Sequence, residues 1–233
     1  MKQWLLIYSA IFILIAVVFL LILGKLKFKN ISWWIFVAWG VASFELTLIL
    51  QPPLQRWWAQ TFSSLVNNQA ATCLLLLLPL ALISGFVQEI LKAVPFISRK
   101  FLWVNQLLND KNDWLNYSLA IGFGFAIWEA IRLVAYPISY LTTLMWLPII
   151  ERVMAIMFHV ASTTCFVYGV KNKKSIKFYL LVSITHGLIN YPVFLSTAGY
   201  ISHNMIYYLG FTIAILFYIF TYRLWKKRYV LNI

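Results

Sequence analysis

Apolar residues run along this chain in blocks of about twenty, the length that crosses a bilayer as a helix. Short polar or basic breaks separate them. The pattern predicts seven helices, at 4–24, 31–50, 69–94, 116–136, 144–170, 175–195 and 204–225. The alternation of period two that would mark a membrane β-barrel does not occur, so the expected class is all-α, a polytopic helical bundle. The first block has Lys2 ahead of it, as a signal peptide would. Its apolar core is longer than a signal core, however, and Lys25, Lys27 and Lys29 follow in place of a small-residue cleavage site, so it reads as the first membrane helix. Pro52-Pro53 predicts the end of the second helix, because proline cannot continue the hydrogen-bond ladder. Residues 54–62, which mix Trp57, Trp58 and Phe62 with Gln55 and Arg56, then read as a short helix in the interface. Pro95 and the polar run 109–113 predict a solvated connection over about 95–115.

Composition supports this reading. Of 233 residues, 63% are hydrophobic and 11% charged, too apolar a balance for a soluble domain. We expect a single transmembrane domain over 1–233, with its motif-bearing core at 69–195. The formal net charge of +13 would point to nucleic acid in a soluble protein. Here the basic residues flank the apolar blocks, where they set topology, and no nucleic-acid partner is expected. Fifteen of them fall on alternate connections, around Lys25–Lys29, Lys92–Lys111, Lys171–Lys177 and Arg223–Arg228. That bias puts those connections in the cytoplasm, with the N-terminus outside, the C-terminus inside, and membrane lipid around the bundle, as in a bacterial plasma membrane. Cys73 and Cys165 lie inside apolar blocks with no paired spacing, which implies core positions and no disulfide framework.

The candidate chemistry lies in polar residues that interrupt the apolar blocks. Ionisable groups in hydrocarbon are costly and usually face a bundle interior or a wet cavity. In the fifth block Glu151 and Arg152 precede His159. Arg152 and His159, seven residues apart, share a helix face about 10 Å apart along the axis. In the third block Glu89 and Lys92 sit three apart and can pair on one face. The fourth carries Gly122, Gly124 and Ala126, which permit close helix packing, followed by Glu129 and Arg132. The sixth places His186 and Asn190 four apart on one face. Each residue alone has a structural explanation: an interfacial ion pair, an interhelical hydrogen bond, a packing contact. Together, on four helices, they point to one shared site. His203 falls in an expected outer loop and reads as solvated.

In order, Gln88-Glu89-x-x-Lys92, Gly122-x-Gly124-x-x-x-x-Glu129, Glu151-Arg152-x-x-x-x-x-x-His159 and His186-x-x-x-Asn190 resemble the YhfC/PrsW-like intramembrane peptidases. These are related to the CAAX prenyl endopeptidases and bacteriocin-processing enzymes. The resemblance covers 85–190. It implies a glutamate–histidine site in a membrane cavity that hydrolyses peptide bonds of membrane-embedded or membrane-adjacent substrates. Carried over by position, Glu89, Glu129, His159, His186 and Asn190 are its catalytic candidates, with Lys92, Arg132, Glu151 and Arg152 as orienting groups. One departure stands out: the family usually has two glutamates in the first motif, and here the first is Gln88.

Two mechanisms fit these residue types. In one, Glu89 or Glu129 takes a proton from water, His186 and Asn190 stabilise the oxyanion, and His159 orients water or protonates the leaving amine. In the other, His159, His186 and one of Glu89 or Glu129 hold zinc with an open fourth position, although the His-Glu-x-x-His signature does not occur. No other cofactor is expected. Two readings from other classes stay open: a catalytically silent membrane protein that holds a hydrophobic peptide, and a transporter with a Glu/His proton relay.

Overall fold

A computed structural model describes residues 2–23, 28–65, 68–97, 113–135 and 146–230. Among these the chain forms seven long helices and no strand. They are α1 (Lys2–Leu23), α2 (Ile31–Phe62), α3 (Gln69–Ile97), α4 (Asp113–Ala135), α5 (Trp146–Lys171), α6 (Ser175–Thr197) and α7 (His203–Val230). The described part of the bundle is all-α, as the apolar blocks predicted. Five helices are long and apolar enough to cross a membrane: α2, α3, α5, α6 and α7. α4 is not among these five, and its place in the bundle accounts for its more polar composition: residues 114–127 are buried throughout, against α1, α2 and α5. A helix jacketed by other helices need not be apolar on every side. Much of the expected 95–115 connection, with Arg99, Lys100, Asp110 and Lys111, lies outside the described residues, as do Lys25 and Lys27.

The expected break at Pro52-Pro53 is a correction. α2 continues through both prolines to Phe62, so 54–62 is the last part of a membrane helix and not a separate interfacial one. The missing proline donors are offset by lateral bonds to α3. Gln55 Nε2 donates to the Leu80 carbonyl (2.9 Å), and Trp58 Nε1 donates to the Leu75 carbonyl (3.1 Å). Tertiary packing of this kind outweighs an unfavourable local propensity. Pro95 likewise sits inside α3, and exposed His203 opens α7. α3 begins with Asn68 capping the Ala71 N–H (2.9 Å) and then passes through a π turn at Thr72–Leu77, which admits an extra residue per turn and rotates the face presented by everything after it.

Close helix contact depends on glycine. A Cβ on Gly122 would lie 2.9 Å from both the His159 carbonyl and Val160 Cα, so this glycine lets α4 rest on α5 at the level of the histidine. Gly85 plays the same part for α3 against the Ser183 carbonyl of α6.

The two ends of the bundle differ. Where α3 ends and α4 begins, Phe36 stacks on Phe96 (6.1 Å) and Tyr117 (4.5 Å), and Phe96 packs on Trp114 (6.2 Å), giving an aromatic layer across α2, α3 and α4. Toward the opposite end, where α4 finishes and α5 starts, the interior is polar.

Candidate active site

α3, α5 and α6 bring Glu89, Lys92, His159, Ser162 and His186 into one buried cluster. Glu89 and Lys92 share a face of α3, and Lys92 Nζ lies 2.7 Å from Glu89 Oε1 with both side chains 1% exposed. The ammonium also donates to Ser162 Oγ (3.0 Å) and lies 3.1 Å from His159 Nδ1. Ser162 Oγ in turn donates to Glu89 Oε1 (3.0 Å), and His186 Nδ1 approaches the same oxygen at 2.8 Å.

Hydrogen-bond inventory assigns the protons. An ammonium has only donors, so His159 Nδ1 accepts from Lys92 and the imidazole proton rests on Nε2. That nitrogen lies 2.8 Å from Glu129 Oε2, on α4. A carboxylate only accepts, so His186 carries its proton on Nδ1 and leaves Nε2 as a lone pair. Glu89 Oε1 collects three donors, while Glu89 Oε2 and His186 Nε2 have no hydrogen-bond partner among the described residues.

Glu129 is held from its other side by Arg152, whose Nη1 is 3.8 Å from Oε1. Arg152 also pairs with Glu151. The seven-residue spacing of Arg152 and His159 thus lets one helix face grip one carboxylate from two directions. Aromatic rings wall the cluster: Phe125 lies under Lys92 Nζ at 5.0 Å and 4.6 Å from His159, and Phe158 lies 5.0 Å from His186.

The remaining candidates sit around this centre. Arg132 pairs with Glu45 of α2 (3.1 Å) on a more exposed flank, 42% exposed, where Trp128 Nε1 also donates to Glu45 (2.6 Å). Asn190 does not touch the Glu89 carboxylate; its Nδ2 donates to Ser84 Oγ (2.8 Å), one turn back along α3. Ser162, Ser84 and Gln51 escaped the sequence reading, since a serine or glutamine in an apolar block carries no signal until its cross-helix partner is known.

The donor set fits a transition metal. Glu89, His159 and His186, all buried, present ligand atoms within 4.8 Å of one another, and two imidazoles with one carboxylate are the protein ligands of a catalytic zinc site. Lys92 already supplies a positive charge to the same carboxylate, so the cluster is electrically balanced by its own residues.

No curated protein and no solved structure matches the chain. A family model does, over a segment that contains Arg132, Glu151, Arg152, His159, His186 and Asn190 but starts after Glu89 and Glu129. Across residues 130–209 the chain resembles the family described as YhfC intramembrane metalloprotease.

Proposed function

We propose that this integral membrane protein is a peptidase that hydrolyses peptide bonds of membrane-embedded or membrane-adjacent substrates. The observation that carries the reading is the buried convergence of Glu89, His159 and His186, with one carboxylate oxygen and one imidazole nitrogen left unpaired among the described residues.

A water accepted by Glu89 Oε2 and His186 Nε2 loses a proton to Glu89 as its oxygen attacks the scissile carbonyl. The protonated Glu89 then delivers that proton to the leaving amine, while His159, held between Lys92 and the Glu129–Arg152 pair, keeps Lys92 in place beside the carboxylate. With that proton gone, Glu89 is again the carboxylate that pairs with Lys92 Nζ, and the site is reset. The bond between carbonyl carbon and nitrogen breaks, and water is divided between the new carboxyl and amine. Glu89, His159 and His186 are the residues that would hold zinc, which when bound supplies Lewis-acid activation of water and of the carbonyl.

The fold is read as one domain with its working core at 69–195, in a membrane whose cytoplasmic face carries the lysine-rich connections. The test is reconstitution of the purified full-length chain in liposomes with transmembrane peptides. Mass spectrometry should find paired fragments with the native protein and none with His186→Ala. Equal cleavage by both would sink the assignment.

A further inference from the structure

A line of neutral polar groups leads away from Glu89. Asn190 Nδ2 and Gln88 Nε2 both donate to Ser84 Oγ, at 2.8 and 3.1 Å. Gln88 Nε2 also lies 3.0 Å from Gln51 Oε1, and Gln51 Nε2 reaches Gln55 Oε1 at 3.3 Å. Gln55 ends the line on the Leu80 carbonyl (2.9 Å). Three helices contribute, α2, α3 and α6, and every member lies on the polar side of the cluster, away from the aromatic layer.

Gln88 is 6% exposed, and its Oε1 has no partner among the described residues. Turning the amide over leaves its other atom unpaired instead, so one buried polar group is without a partner among the described residues either way. The hydrolytic reaction supplies the occupant. A peptide bond inside a membrane helix is engaged in the helix ladder and must be unwound before water can attack it. Unwinding frees N–H and C=O groups that find no water in the bilayer core. Amides, with a donor and an acceptor each, can satisfy both kinds of group, whereas a carboxylate only accepts. This gives a physical use for Gln88 where the related enzymes usually carry a second glutamate.

We propose that Gln51, Gln88, Ser84 and Asn190 form a backbone-binding strip that holds an extended stretch of substrate beside Glu89 and recognises main chain in preference to side chains. The proposal rests on the peptidase reading, and its test separates the two. The probe is a fluorescein-labelled Leu/Ala transmembrane peptide with a central Gly-Ser-Gly, compared with the same peptide N-methylated at both glycines. Binding to the full-length chain in detergent is read by fluorescence anisotropy in the His186→Ala background, and cleavage is read with native His186. The strip requires N-methylation to weaken binding by about tenfold, the value of roughly one net hydrogen bond. Gln88→Met and Gln51→Leu should each weaken binding of the unmethylated peptide to a similar degree and lose the sensitivity to methylation. Gln51 is the less buried of the two, so its variant keeps the test valid if Gln88→Met fails to fold. Methylation-sensitive binding without cleavage upholds the strip and sinks the peptidase reading. Cleavage with binding indifferent to both variants upholds the peptidase and overturns the strip, as does failure of the native chain to bind the peptide.

Discussion

His186 Nδ1 lies 2.8 Å from Glu89 Oε1, and the ring nitrogen on its far side has no partner among the described residues. One imidazole therefore both orients the carboxylate and offers a lone pair to whatever enters. His186→Ala should lower peptide cleavage by about 100- to 1,000-fold, the scale on which a positioned catalytic group acts. His159→Ala should do the same, with membrane insertion and monodispersity unchanged. Turnover within tenfold of native in both variants, measured on liposome-reconstituted protein, would remove the histidines from the mechanism.

Lys92 and Glu89 form a fully buried ion pair, so removing one partner strands the other charge. Lys92→Met should cost about 3–5 kcal/mol of stability, read by thermal unfolding in detergent. The double variant Lys92→Met/Glu89→Gln should recover most of that loss while staying inactive. A double variant no more stable than the single one would show that the pair is not the source of the destabilisation.

Metal content gives a readout independent of turnover. After zinc loading and desalting, the native chain should retain about one zinc per chain by elemental analysis, as a two-histidine, one-carboxylate site predicts. His159→Ala, His186→Ala and Glu89→Gln should each retain far less. Equal retention in all four would place any bound zinc elsewhere, and no retention by the native chain would favour hydrolysis by the protein's own acid–base groups.

Gly122 sets how closely α4 approaches α5 beneath His159. Gly122→Val should force the helices apart, lowering both thermal stability and cleavage, and Gly122→Ala should do the same to a smaller degree, because the atoms a Cβ would meet belong to the α5 backbone. A Gly122→Val variant as stable and active as the native chain would show that this close approach is not required.

The helices were legible because hydrophobic length reports membrane crossing directly, and the Glu89–Lys92 pair because a spacing of three reports a shared helix face. What spacing cannot report is the partner across a helix interface. Arg132 reads naturally with Glu129, three residues earlier, yet it pairs with Glu45 eighty-seven positions away, and Glu129 goes to His159 and Arg152. Such choices depend on how far each helix slides along its neighbour, which is decided by contacts such as Gly122 on His159. The Pro52-Pro53 break failed for a related reason: the local rule was sound, but Gln55 and Trp58 find carbonyls on α3 that hold the helix together.

The aromatic layer of Phe36, Phe96, Tyr117 and Trp114 has a bioenergetic consequence. Buried acids, bases and amides on neighbouring helices form a ladder that protons can climb, and a ladder open at both ends would drain the gradient of an energised membrane. Closely packed rings interrupt it below Lys92. Phe36→Ser combined with Phe96→Ser should therefore make proteoliposomes measurably leaky to protons by a pH-sensitive dye, whether or not peptide is present. With the layer in place, water can reach the cluster from one side while the membrane keeps its charge.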